Sequence, residues 1–395
     1  MKFSNRVQQV SPSVTLALSA KAKSLQKKGL DVKNLTAGEP NFNTPKHIKQ
    51  AAIAAIEAGN SDFYTPALGI KELREAIAKV TNEQYKTNYT FDNVAVTVGG
   101  KFALFAIAQA IFDLDDEILI PLPYWVSYSE QVKLAGAKPV FVSPKEGQLK
   151  VNVAELEAKR TAKTRAVIIN SPQNPSGAIY SRQELEAIGN WAVENNIWLI
   201  ADDMYNKLVY NGNSFVSLIE LSEKIRKQTI LVNGFSKTYS MTGWRVGYVL
   251  ANKELIAKLS AVVGHATGNL AAVSQYAALA ALNSDQSCVE EMRQAYEQRL
   301  NEIYPLLNEI PGFTLHTKPE GAFYLFPDIR QALAKTGFAD TTSFADALLE
   351  EEYVAVVPGE AFGMPGYIRL SYAASLSDLR EAMVRLKRFV EKHSK

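Results

Sequence analysis

A single cysteine, Cys288, stands among 395 residues, so no intrachain disulfide can form. With no signal-like apolar segment at the amino terminus, this favours a reducing compartment, and a cytoplasmic location is expected. Histidine is scarce too. His47, His265, His316 and His393 are scattered, and no metal-ligand cluster can be built from them and Cys288. The formal net charge is only +2, and no basic run is interleaved with aromatics, so neither nucleic acid nor an anionic membrane is an expected partner. Small molecules are. No apolar run approaches the roughly 20 residues of a membrane span. No Gly-x-Gly-x-x-Gly follows a strand-like run and no Walker-type loop is present, which counts against a nicotinamide enzyme or an NTPase.

At 47% hydrophobic and 21% charged the composition is that of an ordinary soluble globular protein, and 395 residues are long for one core. From residue 94 onward seven short β-branched runs alternate with helical patterns: Val94 to Val98, Glu117 to Ile120, Pro139 to Val142, Ala166 to Ile169, Ile197 to Ala201, Thr229 to Val232 and Val246 to Leu250. Such alternation predicts a mostly parallel seven-stranded sheet covered on both faces, an α/β fold. Ser13 to Lys28 reads as a helix ended by Gly29. Thr44 reads as the N-cap, and Pro45 as the first residue, of a helix running to about Gly59. Another helical pattern starts at Lys71, and Ser181 and Glu184 form a capping box. A long charged helix is expected over Val289 to Leu307 and an amphipathic one over Asp378 to Lys392. The expected division is a large domain, 46–288, and a smaller α+β domain built from an arm, 1–45, and the carboxyl-terminal part, 289–395. A small domain made from both chain ends can rock on the large one and close over a substrate.

The stretch most suggestive of chemistry is Gly234-Phe-Ser-Lys237-Thr-Tyr-Ser-Met-Thr-Gly-Trp-Arg245-Val-Gly247. A lysine just beyond the carboxyl end of a strand, among small residues, can meet a ligand in the crevice where open α/β sheets bind them. Arg245 is a fork-shaped cation suited to a phosphate. Gly99-Gly100-Lys101 follows the first run and opens a helix, where backbone N–H groups make an anion site. Asp202 ends an apolar strand, and an acid there is costly unless paired. Arg369 sits inside another apolar strand, Tyr367-Ile-Arg369-Leu-Ser-Tyr372, and calls for a carboxylate partner, protein or ligand. By residue type alone, Gly38 is a turn glycine, Tyr64 a half-buried aromatic, Trp125 a core indole and Asn174 part of ordinary loop punctuation.

The Lys237 stretch closely resembles the lysine signature of class I and II aminotransferases, which belong to the fold-type-I enzymes that use pyridoxal 5'-phosphate (PLP). The likeness runs over almost the whole chain. It implies that Lys237 carries the cofactor aldehyde and then moves a proton at the substrate α-carbon. Asp202, chosen over Asp203 by the Asp-x-x-Tyr pattern that also marks Tyr205, would face the pyridine nitrogen. Tyr205 and Asn174, the latter in Asn-Pro-Ser-Gly177, would hydrogen-bond the phenolic oxygen, and Trp125 would stack on the ring. Gly99, Gly100, Lys101, Ser236 and Arg245 would hold the phosphate. Relatives often supply a hydroxyl where Gly234 stands here; either Ser236 substitutes for it, or the site relies on the Gly99 to Lys101 amides and Arg245. Gly38, Trp125, Asn174 and Arg369 would meet the substrate. Tyr64 would reach the cofactor phosphate of a second subunit, which implies a homodimer with shared sites.

Among these aminotransferases the sequence is most similar to bacterial aspartate aminotransferases with a Gly-Gly-Lys turn. There Lys101, helped by Ser13 or Thr15, would meet the distal carboxylate of the substrate; the alternative is a helix-start residue beside the phosphate. The expected reaction moves an amino group from aspartate to 2-oxoglutarate. An aromatic, prephenate or broad-specificity aminotransferase is the other reading, and a PLP-dependent β-lyase or decarboxylase a further one. A PLP-binding transcriptional regulator would need a helix-turn-helix domain, for which residues 1–40 leave no room beside the arm.

Overall fold

The protein is described here by a computed structural model covering residues 2–394. Its centre is a seven-stranded sheet: β1 (Val94–Val98), β2 (Glu117–Pro121), β3 (Lys138–Val142), β4 (Thr164–Asn170), β5 (Trp198–Asp202), β6 (Thr229–Gly234) and β7 (Val246–Leu250). The spatial order is β1-β7-β6-β5-β4-β2-β3. All pairings are parallel except those of β7, which runs antiparallel to both β1 and β6.

These strands read as continuous apolar runs because both faces of the sheet are covered. Alternate residues go to opposite sides. Leu119, Val167, Ile169, Leu199, Ala201 and Leu231 join one core, while Ile118, Ile120, Ile168, Ile200, Ile230 and Val232 join the other. Full burial of each such Leu, Ile or Val contributes about 1.5–3 kcal/mol. The core helix Gly99–Ile111 packs on the second of these faces, burying Ala103, Leu104 and Ile107.

A separate apolar cluster draws on distant parts of the chain. Leu35 meets Tyr296, Leu300 and Ile303 from the helix Ser287–Asn308, with Phe344, Leu348, Leu386 and Phe389 around them. Lys33–Asn34 pairs in parallel with Val354–Ala355. A three-stranded antiparallel sheet places Ile368–Ser371 between Val357–Pro358 and Tyr324–Leu325. The last helix spans Leu376–His393, two residues earlier at its start than expected.

Ser13 caps the helix Val14–Lys27, and Ser181 and Glu184 form the reciprocal capping box. The expected cap at Thr44 is not made. The helix there spans Lys46–Glu57, Pro45 is its cap residue, and no side chain bonds its free N–H groups. The Thr44 hydroxyl is engaged elsewhere: it donates to the Ser240 carbonyl at 2.7 Å and accepts from Trp244 Nε1 at 3.0 Å. A cap is lost and a tie to the Lys237 stretch is gained. Among the described residues, no helix is long and apolar enough to cross a membrane.

Two facing glycines bring the critical backbones together. Gly234 and Gly247 are paired across β6 and β7. A Cβ on Gly234 would lie 2.9 Å from the Val246 carbonyl, and one on Gly247 would overlap the backbone of Gly99 and Gly100. Gly234 therefore has no room for a side chain. Gly247→Ala should cost about 2 kcal/mol through overpacking against backbone that cannot yield, read as a lowered thermal midpoint.

Candidate active site

The carboxyl ends of the central strands open onto a cavity of about 460 Å³. Register sets its floor: Asn170 at the end of β4 pairs with Asp202 at the end of β5, which pairs with Val232 near the end of β6. One carboxylate and one amide are thus delivered to the same edge by strand pairing.

Asp202 is 5% exposed. Its Oδ2 accepts from the Tyr128 hydroxyl at 2.6 Å and its Oδ1 from the Met204 amide at 3.3 Å. Burial pushes this carboxyl above its ordinary range, opposed by the two donors and by the charge of Lys237. Its neighbour Asp203 is also buried but is tied to the Ser217 hydroxyl at 2.6 Å, away from the cavity lining. Of the two acids, Asp202 lines the cavity and Asp203 does not.

Lys237 lies in the cavity wall and donates to the Gly38 carbonyl. Burial lowers its amine to about 8; Glu39 opposes this, Arg245 and Arg369 add to it, and Asp202 opposes it. The amine is therefore poised between its two protonation states in the range where proton transfer is useful.

At one end of the cavity lie Gly100, Lys101, Ser236 and Arg245. Gly99 stands directly beneath the Arg245 guanidinium, which a Cβ there would strike. Arg245 has φ +59, a left-handed conformation uncommon outside glycine, and its Nη1 donates to the Thr242 carbonyl at 2.8 Å. The Lys101 ammonium lies 5.0 Å above the Trp125 ring, and Trp125 meets Tyr128 edge-on at 5.5 Å. Burial and Arg245 both lower the Lys101 amine.

At the other end, Arg369 is 3% exposed. It donates to Asn174 Oδ1 at 3.0 Å and to the Thr36 carbonyl at 2.8 Å, while its Nε is buried without a partner. Its guanidinium rests 4.5 Å from the Tyr324 ring and 4.9 Å from that of Phe362. Asn174, held by its own N–H to Asn170 Oδ1 at 2.8 Å, spends its carbonyl oxygen on Arg369. That leaves its amide nitrogen free to donate. Gly38 and Tyr205 complete this side.

Of the expected residues, two are not in the cavity wall: Gly99, which lies buried against the Arg245 guanidinium, and Tyr64, which is 96% exposed. The wall residues that went unread in the sequence include Tyr128, Tyr324, Asn170 and Glu39. Tyr128 carried one usable signal, its place three residues after Trp125 at the start of the helix Ser127–Leu134. Among the described residues no group of three or more His, Cys, Asp or Glu could hold a metal.

Residues 31–386 match the family model described as aminotransferase class I and II. The chain belongs to the class I and II aminotransferases. It is 48% identical over 395 residues to an aspartate aminotransferase of Bacillus subtilis, covering all of both chains. It is also 48% identical over 392 residues to an asparagine–oxo-acid transaminase of Streptococcus mutans, covering 99% of this chain and all of that one. The Thermus thermophilus aspartate aminotransferase solved with maleate superposes with a TM-score of 0.92 at 39% identity, covering 98% of this chain and all of that one.

These aminotransferases depend on PLP, and the cavity fits it. A buried carboxylate at the floor suits a protonated ring nitrogen, and a recessed amine suits an aldehyde. The side-chain-free turn at Gly99 and Gly100 beneath a guanidinium suits a phosphate. The orphaned Arg369 Nε asks for one more acceptor.

With the folded Lys237 amine lowered to about 8 and the ordinary value at 10.5, the cofactor-free protein holds this lysine mostly neutral above about pH 8. Acylation of Lys237 by a limiting amine reagent, followed by peptide mass spectrometry, should therefore reach half its plateau rate near pH 8. A midpoint at the ordinary lysine value would contradict the burial described.

Proposed function

We propose that this aminotransferase takes L-aspartate as amino donor and 2-oxoglutarate as acceptor. The observation that carries the reading is the pair of fixed cations, Lys101 and Arg369, in the wall of one cavity. Five cations line that wall, with Lys23, Lys237 and Arg245 the others, against two acids, Glu39 and Asp202. Such a balance suits a ligand with two carboxylates alongside a phosphate. The names of the Bacillus and Thermus relatives support it. The Streptococcus relative supports a second reading, an asparagine donor, in which the Lys101 ammonium would meet an amide oxygen instead.

When bound, PLP supplies an electron-withdrawing ring that stabilises negative charge at the substrate α-carbon. The chain's residues do the rest. Asp202 keeps a proton on the ring nitrogen, and Tyr205 and Asn174 donate to the phenolic oxygen while Trp125 covers the ring. The amides of Gly99 to Lys101, Ser236 and Arg245 hold the phosphate. Arg369 and Gly38 hold the substrate's α-carboxylate, which would satisfy Arg369 Nε. Lys237 Nζ would take the proton from the substrate α-carbon and return it two atoms away, on the far side of the imine nitrogen. Lys101, with Ser13 and Thr15 from the first long helix, reads the distal group.

The working unit in this reading is a homodimer in which Tyr64 of one subunit reaches the phosphate held by the other. The 83% and 96% exposure of Phe63 and Tyr64 supports this. Residues 46–288 form the large unit, and residues 1–45 and 289–395 the smaller one, supported by the pairing of Lys33–Asn34 with Val354–Ala355. A cytoplasmic location is supported by the unpaired Cys288.

The test mixes holoenzyme separately with aspartate, asparagine, glutamate, alanine, tyrosine and phenylalanine and follows the cofactor's visible absorbance. Aspartate should react fastest, and a rate no greater than that of alanine would refute the dicarboxylate reading. Lys101→Ala should lower kcat/KM for aspartate by about 30-fold, the ~2 kcal/mol of a hydrogen bond to a charged group, and leave tyrosine nearly unchanged. Equal losses would make Lys101 a phosphate-side residue.

A further inference from the structure

Tyr324 touches both ends of the substrate side of the cavity. It is fully buried, yet it lines the cavity. Tyr324 pairs with Ser371, two residues along the neighbouring strand from Arg369 and on the same face. Three contacts define it. Its hydroxyl is 2.9 Å from the Tyr205 hydroxyl. The Arg369 guanidinium rests 4.5 Å from its ring centre. A Cβ on Gly38 would lie 3.0 Å from its oxygen, so the hydroxyl is packed against the Gly38 backbone.

Two hydroxyls that face each other share one proton between them, and the other proton is free for a third acceptor. Among the described residues the Tyr324 hydroxyl has no hydrogen-bond partner except Tyr205, and the Gly38 α-carbon beside it accepts nothing. The pairing that wastes no donor has Tyr324 donating to Tyr205, which leaves the Tyr205 proton for the cavity. Burial keeps both phenols protonated in the neutral range. A donor behind Tyr205 polarises its O–H and strengthens the bond that it gives in turn. The electron-rich face of the same ring balances part of the charge on Arg369, for which the described residues provide amide and carbonyl acceptors but no carboxylate.

We propose that Tyr324 is a positioning residue with two separable parts: its hydroxyl donates to Tyr205 and orients that phenol, and its ring is the platform that holds Arg369 ready for the substrate's α-carboxylate. The proposal rests on the roles given above to Tyr205 and Arg369.

The test uses PLP-loaded Tyr324→Phe, Tyr324→Leu, Tyr205→Phe and the Tyr324→Phe/Tyr205→Phe double variant. One readout is the pH midpoint of the cofactor's visible absorbance, the other the dissociation constant of maleate, an unreactive dicarboxylate, from the same spectra. Tyr324→Phe keeps the ring and removes the hydroxyl. It should raise the midpoint by about half a pH unit, as expected for one weakened hydrogen bond, and leave maleate binding within about twofold. Tyr205→Phe should shift the midpoint further in the same direction, and the double variant should match Tyr205→Phe alone because the outer hydroxyl acts only through the inner one. Tyr324→Leu should weaken maleate about tenfold through loss of the cation–π contact.

An unchanged midpoint in Tyr324→Phe, with Tyr205→Phe shifted, overturns the donor role while sparing Tyr205. If neither shifts, the assignment of Tyr205 itself falls. Maleate binding that is equal in the Phe and Leu variants overturns the platform role. Should Tyr324→Leu fail to fold, the Phe and double variants still decide the hydroxyl, and Tyr324→Met, which fills the space without a π face, decides the platform.

Discussion

The cavity depends on burying an anion and several cations close together without letting them neutralise one another. Asp202 sits at the floor with two donors, and Lys237 and Arg369 stand apart from it, each spending hydrogen bonds on backbone carbonyls or an amide oxygen. Had Arg369 closed on Asp202, the pair would have been self-sufficient and inert. Desolvation makes each separated charge expensive. That cost becomes affinity when the ligand supplies the missing partners, as the orphaned Arg369 Nε implies.

The sheet makes this separation possible. Asn170, Asp202 and Val232 are fixed in register by adjacent parallel strands, so residues distant in sequence stand in a row at one edge. The antiparallel β7 has a different task. Because β6 and β7 run in opposite directions, the connection between them carries both Lys237 and Arg245, and facing glycines press it onto the Gly99–Gly100 turn. The amine and the anion site are thereby set at one spacing by local chain geometry, while the carboxylate-reading Arg369 arrives from a separate apolar cluster.

The seven strands were legible because a two-sided core writes itself as uninterrupted Val, Ile and Leu, and Lys237, Asp202 and Arg369 were legible because a charge inside such a run is conspicuous. Where the reading failed, the information was not local. Thr44 has the form of a cap, but its hydroxyl answers to Ser240 and Trp244, some two hundred residues away. The Lys33–Asn34 strand has two residues and no periodicity, and exists only by virtue of its partner. Tyr128 and Tyr324 are phenols in apolar surroundings, and a sequence does not say whether such a ring is filler or turns its oxygen toward a carboxylate or a second phenol.

The pairing of Lys33–Asn34 with Val354–Ala355 also bears on biosynthesis. The early strand leaves the ribosome roughly three hundred residues ahead of the segment that will receive it. A nascent chain can complete its central sheet, with Lys237 already seated on it, while the wall bearing Arg369 is still untranslated. Synthesis thus makes the floor before the roof, and the carboxylate pocket can close only once the carboxyl-terminal strands have been added.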